Sequence, residues 1–479
     1  MSDLIKTQCY INGEWIGTPK MAVLNPATGE EIVKVPHMGG TEAEQAIDAA
    51  HAAFGPWSAL LAKERSAILR KWYDLIMENA DALGEILTRE QGKPFAEARG
   101  EIVYAASFVE FFAEEAKRLY GETIPTPFKE GRILVTREPV GVVAAITPWN
   151  FPAAMITRKL APAFAVGCTA VVKPAEDTPL TAFALTELAH RAGLPKGVLN
   201  VLTGEAKDIG QAMCASKKVR ALTFTGSTPV GKILMKQCAD TMKKLGLELG
   251  GNAPFIVFDD ADVDAAVQGA IASKFRNAGQ TCVCANRLYV QDGIYDEFSK
   301  KLATEVGKMK VGNGMDEGVV QGPLINDSAI EKVEGLLKDA TDKGAEVIKG
   351  GERHEKGGRF FQPTVVTGMT SEMKMTTDEI FGPVAPLYRF KDEAEVIELA
   401  NATDFGLASY FYARDIGRVW RVAEALEYGM VCINSGALST EVAPFGGVKE
   451  SGIGREGSHH GTDEFTELKY MMMGGIEAP

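Results

Sequence analysis

Between Val142 and Phe258 the chain alternates strand-like runs with helical segments, and this rhythm constrains the fold more than any other feature. Strands are expected at Val142–Thr147, Thr169–Lys173, Val198–Leu202, Ala221–Thr225 and Leu245–Glu248. Helices are expected between them at Ala153–Val166, Thr181–Ala192, Lys207–Ser216 and Val230–Met242. A strand followed by a helix roughly every 25–30 residues implies right-handed crossovers and a parallel, doubly wound α/β sheet. A second alternation begins at Ala253–Phe258, with helices near Asp262–Phe275, Ile294–Met309 and Ile330–Lys343 and strands at Arg287–Gln291 and Glu346–Lys349. A chain of 479 residues is too long for one small core. Two α/β domains meeting near Gly250-Gly251 are expected.

Upstream, residues 41–120 read as helices. Thr41-Glu42-Ala43-Glu44 has the form of a capping box, and Glu64–Leu87 and Ile102–Leu119 carry apolar residues at helical spacing. Gly131–Arg137 alternates like an exposed strand seeking a partner. The tail Met471–Gly475 is expected either to pack on a partner or to fray.

Bulk properties exclude several functions. A net charge of −13 argues against nucleic acid and anionic membrane surfaces as partners. There is no apolar run long enough to span a bilayer. Met1-Ser2-Asp3-Leu4-Ile5 lacks the basic-then-apolar order of a secretion signal. Seven cysteines, odd in number and irregularly spaced, suit a reducing cytoplasm better than a disulfide framework. No CxxC pair or HExxH is present, so no metal is expected.

Gly226-Ser227-Thr228-Pro229-Val230-Gly231-Lys232 follows a strand and opens a helix. It nearly matches a P-loop, but Ile233 stands where a Mg²⁺-binding hydroxyl belongs, so a dinucleotide pyrophosphate suits the turn better than a nucleoside triphosphate. An ordinary βα turn would look the same. Gly452-Ile453-Gly454-Arg455-Glu456-Gly457 fits GxGxxG without the strand and helix that pattern needs, and reads as a turn. Lys173-Pro174-Ala175-Glu176 ends a central strand, where such folds bind ligands. A carboxylate there accepts from ribose hydroxyls and repels a 2′-phosphate, favouring NAD over NADP; a solvated charge is the alternative. Glu248 ends a strand beside two glycines and is a candidate general base, or a hinge carboxylate. Asn150, in Thr147-Pro148-Trp149-Asn150-Phe151-Pro152, is held by two prolines and can serve as an oxyanion donor or simply cap a turn. Cys282, in Gly279-Gln280-Thr281-Cys282, lies in a polar turn before a strand and is a candidate nucleophile. Cys284 is either packing or a resolving thiol.

ITPWNFP at 146–152, VVKPAE at 171–176, FTGS at 224–227, LELGG at 247–251, GQTC at 279–282 and EIFGP at 379–383 occur in the order and spacing of the aldehyde dehydrogenase superfamily. The chain resembles that superfamily over nearly its whole length. FRNAGQTCVCANR at 275–287 and APFGGVKESGIGREGS at 443–458 resemble its succinate-semialdehyde dehydrogenases. The resemblance implies two doubly wound α/β domains plus a small β oligomerisation arm. An NAD-binding domain would take 1–121 and 140–250, a catalytic domain 251–460, and the arm 122–139 with 461–479, giving a homodimer or homotetramer. It implies oxidation of succinate semialdehyde to succinate with NAD, NADP being possible, as a step of 4-aminobutyrate degradation. Glutarate semialdehyde or a broad aldehyde range is the near alternative, and a non-catalytic binding protein the distant one.

By the same resemblance Cys282 is the nucleophile, Glu248 the base, and Asn150 with the Cys282 N–H the oxyanion hole. Lys173, Pro174, Ala175 and Glu176 would hold the adenosine ribose, and Gly226 and Ser227 the pyrophosphate. Trp149 and Leu249 would flank the cofactor, and Glu379 would bind the nicotinamide ribose. Arg158, Arg276 and Ser439 would grip the carboxylate of a small anionic aldehyde. NADP-preferring bacterial relatives tend to carry Ser where this chain has Glu176.

Overall fold

The computed structural model describes residues 3–476. Met1 and Ser2, and positions 477–479 of the expected arm, lie outside the described residues. The first sheet has eight strands, in the order Glu14–Ile16, Cys9–Ile11, Leu199–Val201, Thr169–Lys173, Val142–Ile146, Val219–Thr225, Lys244–Glu248 and Gly452–Ile453. Its five middle strands are parallel, and antiparallel strands close both edges. From Val142–Ile146 the chain winds outward twice, then returns to the other side of that strand at Val219–Thr225. The order reverses there, so the C-terminal ends of these two strands open a crevice for ligand.

At residues 249–252 the chain leaves for a second sheet, ordered Glu346–Lys349, Thr364–Thr367, Val384–Phe390, Ala285–Gln291, Ala253–Val257, Ala408–Tyr412 and Met430–Ile433. Only Glu346–Lys349 pairs antiparallel, at the edge. The four strands not foreseen lie between 364 and 433. Ala408–Tyr412, buried at every position, shows why: a strand covered on both faces has no alternation to read. The segment expected to stay with this half, 251–460, sends Gly452–Ile453 back to the first sheet's edge. The GxGxxG stretch therefore begins as a two-residue edge strand, not as a turn.

Four helices cover residues 40–115. The expected Glu64–Leu87 helix is two, Ala62–Glu78 and Ala80–Gln91, because Asn79 leaves helical geometry (φ −108°, ψ 16°) and its Nδ2 donates to the Leu75 carbonyl at 2.8 Å. The first helix starts earlier than expected, capped at Gly39 rather than Thr41, with Glu42 Oε2 accepting from the Gly39 N–H at 2.9 Å. Trp57 and Trp72 close around Phe164 at 6.5 and 6.4 Å, locking these helices onto the Ala154–Val166 helix. The tail does not fray: Thr466–Gly474 runs antiparallel to Gly131–Pro139 over nine residue pairs, with Glu122–Ile124 as third strand. Among the described residues no helix is long and apolar enough to cross a membrane.

Candidate active site

Cys282 is held by a left-handed run. Asn277, Ala278 and Gly279 have φ of 51°, 54° and 75°. Left-handed backbone costs a Cβ-bearing residue about 1–2 kcal/mol, so Ala278 stores strain that the surroundings must hold. They do so with Glu97 Oε2, which accepts from the Asn277 N–H at 2.9 Å, and with Gln280, whose Oε1 accepts from the Ile325 N–H at 3.0 Å. Gly279 admits no side chain, since a Cβ would lie 2.1 Å from the Gly382 carbonyl oxygen. Gly251 is required likewise: its Cβ would meet the Cys282 carbonyl at 2.2 Å. Cys282 and Val283 form a turn before the Ala285–Gln291 strand, and Cys282 lines a cavity of about 340 Å³ with Trp149, Asn150, Leu249 and Glu379.

Asn150 reaches the same cavity from the end of Val142–Ile146. Its Oδ1 accepts from the Phe151 N–H at 3.1 Å and its Nδ2 donates to the Gln280 carbonyl at 3.0 Å, so the amide cannot be flipped. One Nδ2 hydrogen is left for an oxyanion.

Glu248 ends its strand fully buried, and neither carboxylate oxygen finds a hydrogen-bond partner among the described residues. Burial, then the nearby Glu456 carboxylate, push its pKa well above the ordinary range, against Arg158 and Lys159. Glu456 was not foreseen. It ion-pairs with Arg158 Nε at 2.7 Å and with Lys159 Nζ, and these cations hold its own pKa low despite burial. The two cations, already committed to Glu456, do little to offset the burial that favours the neutral acid of Glu248 over its carboxylate. Burial and then Glu379 push the Cys282 thiol up to about 12, so the thiolate is not its resting form. Attack on a carbonyl therefore needs the proton removed as it happens.

The outer half of the cavity adds Thr225, Gly226 and Ser227 from the crevice between the two central strands. Ser227 caps the Thr228–Cys238 helix, whose free N–H groups favour a phosphate. Glu379 Oε1 accepts from the Gly251 N–H at 3.1 Å. These residues fit an extended dinucleotide. Lys173 and Glu176 stand outside the cavity lining and pair with each other at 2.6 Å, Glu176 being partly exposed.

Within the fields of Cys282 and Glu248, side chains suited to an anion converge. Arg276 stacks on Phe151 at 4.8 Å. Arg158 is fully buried between Phe445 (3.9 Å) and Phe108 (5.5 Å), and its Nη2 has no hydrogen-bond partner among the described residues. The Tyr104 hydroxyl is likewise buried and unpartnered, within the fields of both arginines and beside Ser439. Sequence spacing does not reveal Tyr104: it lies on a helix some fifty residues before Arg158. Cys284 faces away, its Sγ against the carbonyls of Lys274 (3.5 Å) and Arg276 (4.0 Å). No cluster of metal-ligating side chains occurs among the described residues.

A dinucleotide crevice opening onto a cysteine, a fixed amide and a buried carboxyl defines a class: α/β enzymes that oxidise a substrate held on a thiol. The family model described as the aldehyde dehydrogenase family matches residues 15–471. The chain belongs to that family and is an aldehyde dehydrogenase. It is 59% identical to a 3-sulfolactaldehyde dehydrogenase of Pseudomonas putida, with 99% of this chain and 98% of that one aligned. It is equally, at 59%, identical to the NADP(+) succinate-semialdehyde dehydrogenase of Escherichia coli, over 99% of both chains. A glutarate-semialdehyde dehydrogenase of Pseudomonas putida also matches at 59%, over 98% of both. The crystal structure of an E. coli NADP-dependent enzyme superposes with a TM-score of 0.98 at 59% identity, covering 98% of this chain and 99% of that one.

Proposed function

We propose that this aldehyde dehydrogenase oxidises a short aldehyde bearing an anionic group at its far end, with succinate semialdehyde as the preferred substrate and NAD as the preferred cofactor. The observation that carries this is the convergence of Arg158, Arg276 and Ser439 around Tyr104, with Arg158 within the fields of Cys282 and Glu248. Two unpartnered buried polar groups there, Arg158 Nη2 and the Tyr104 hydroxyl, are each costly unless a ligand oxygen meets them. Cys282 Sγ attacks the aldehyde carbon, its S–H proton passing to water in the cavity as the S–C bond forms. The Asn150 Nδ2–H and the Cys282 N–H hold the oxyanion, a contribution of about 2.7–4 kcal/mol per donor. The dinucleotide supplies the hydride acceptor. Glu248, once deprotonated, takes a proton from the water that releases the acid.

A panel of succinate semialdehyde, glutarate semialdehyde, 3-sulfolactaldehyde and butanal, each with NAD⁺ and NADP⁺, tests this reading through kcat/KM. Arg276→Leu is expected to lower kcat/KM for succinate semialdehyde by about 10²-fold and to change butanal by less than about threefold. An equal loss with butanal would remove the anion site. A methylene separates succinate from glutarate semialdehyde, worth about 1–3 kcal/mol, so a five-carbon preference would move the substrate without touching the chemistry.

Glu176 carries the cofactor reading. Its carboxylate, tied to Lys173, would repel a 2′-phosphate. Glu176→Ser is expected to raise the NADP/NAD ratio of kcat/KM by about tenfold or more. An unchanged ratio counts against Glu176 as the selector.

Assembly as a dimer or tetramer through the three-stranded arm belongs to the same reading. Its support is the Thr466–Gly474 strand, where Leu468, Tyr470 and Met472 alternate on one face and remain exposed. Of the two readings of Cys284, packing is the better supported, its Sγ lying against the Lys274 and Arg276 carbonyls; the cytosol is read as the compartment, consistent with seven free thiols.

A further inference from the structure

We propose that the buried Lys93–Glu101 ion pair is a positioning device that sets the Asn150 amide for catalysis; the proposal rests on the reading of Asn150 as an oxyanion donor. Both side chains are 1% exposed, and their charged atoms lie 2.5 Å apart. Lys93 follows the left-handed Gly92 that ends the Ala80–Gln91 helix, and Glu101 projects from the Phe95–Glu115 helix. Neither touches the cavity that Cys282 lines. A buried ion pair loses so much hydration that well-packed apolar side chains of the same volume often serve stability as well or better. The pair therefore calls for an explanation in what else it binds.

What it binds is the loop that carries Asn150, at both ends. Lys93 Nζ donates to the Asn150 carbonyl at 2.8 Å and sits 3.8 Å over the Phe151 ring. Glu101 Oε1 accepts from the N–H groups of Ala153 (2.9 Å) and Ala154 (3.2 Å), at the start of the next helix. Asn277 Nδ2 adds a second donor to the Asn150 carbonyl at 3.0 Å. Prolines 148 and 152 restrict the backbone around this loop but do not set the rotation of the peptide plane between Asn150 and Phe151. Two donors on its carbonyl do. That plane carries the Phe151 N–H, which fixes Asn150 Oδ1 and so aims Nδ2. A cation pinned by its own carboxylate gives this carbonyl a directional partner that an apolar filler cannot. A donor displaced by a fraction of an ångström loses much of its worth to an oxyanion, so the effect belongs in kcat.

The test is a double-mutant cycle of Lys93→Met and Asn150→Ala in the full-length enzyme, reading kcat, KM and NAD⁺ affinity with circular dichroism as a check on folding. Lys93→Met alone is expected to lower kcat by about 10–100-fold, with KM and NAD⁺ affinity within about threefold of the parent. In the Asn150→Ala background the same change is expected to cost less than about twofold, because the group it positions is gone. Equal losses in both backgrounds would show that Lys93 acts independently of Asn150 and would overturn the proposal, as would full kcat in Lys93→Met. Undiminished kcat in Asn150→Ala alone would sink the parent reading of Asn150, and this proposal with it. Should Lys93→Met not fold, Glu101→Gln keeps an acceptor for Ala153 and Ala154 while removing the charge that pins Lys93. It is expected to show a smaller kcat loss with the same non-additivity toward Asn150→Ala, and additive losses would overturn the proposal.

Discussion

Cys282→Ala is expected to abolish turnover, lowering kcat by roughly 10⁴-fold or more, while circular dichroism and dinucleotide affinity stay at parental values. The size of the effect follows from position. Cys282 is the cysteine that lines the cavity, whereas Cys284 is turned against backbone carbonyls. No other thiol can substitute. The side chain is also small and half-buried, so its loss leaves little cavity. Residual activity within tenfold of the parent would remove Cys282 from the chemistry, and Asn150 would lose its reason for being fixed beside it.

Glu248→Gln is expected to lower steady-state kcat by about 10²–10⁴-fold, the range spanned by general-base contributions, while a rapid first turnover of NADH persists. Hydride transfer precedes water attack, so a missing base strands the acyl group on Cys282. Burial and the Glu456 carboxylate raise the pKa of Glu248, so its base form appears only as pH climbs through that raised value. The parental rate therefore increases as pH climbs through that raised value. Loss of that limb in Glu248→Gln is the outcome that assigns it. A first turnover as slow as the steady state would place Glu248 before hydride transfer instead.

The two halves of the site differ in how far they could be read in advance. Gly226-Ser227, Leu249, Glu379 and Cys282 sit at strand ends or in turns whose local sequence announces them, and all line one cavity. Lys173 and Glu176 were equally visible, yet lie outside that lining and bind each other. The resemblance assigns Arg158 to the substrate carboxylate, and Glu456, nearly 300 residues later, occupies one of its edges. Glu456 itself hid inside a GxGxxG stretch that drew attention to its glycines. The thiol and carboxyl that sequence suggests as nucleophile and base both have raised pKa values, because titration depends on burial and on charges from distant segments.

The sequence alone determined the parallel first sheet and marked Cys282, Asn150 and Glu248 as candidates, since each is encoded by residues within a few positions of one another; the switch point between Val142–Ile146 and Val219–Thr225 came from the strand order. Only the tertiary structure decided what surrounds them: Lys93 and Glu101 beneath Asn150, Tyr104 facing Arg158 and Arg276, Glu456 against Arg158 and Lys159. These groups come from helices and loops up to some 300 residues apart. Periodicity tells which face of such an element is buried, but its partner on that face is chosen by how the two sheets and their helices pack.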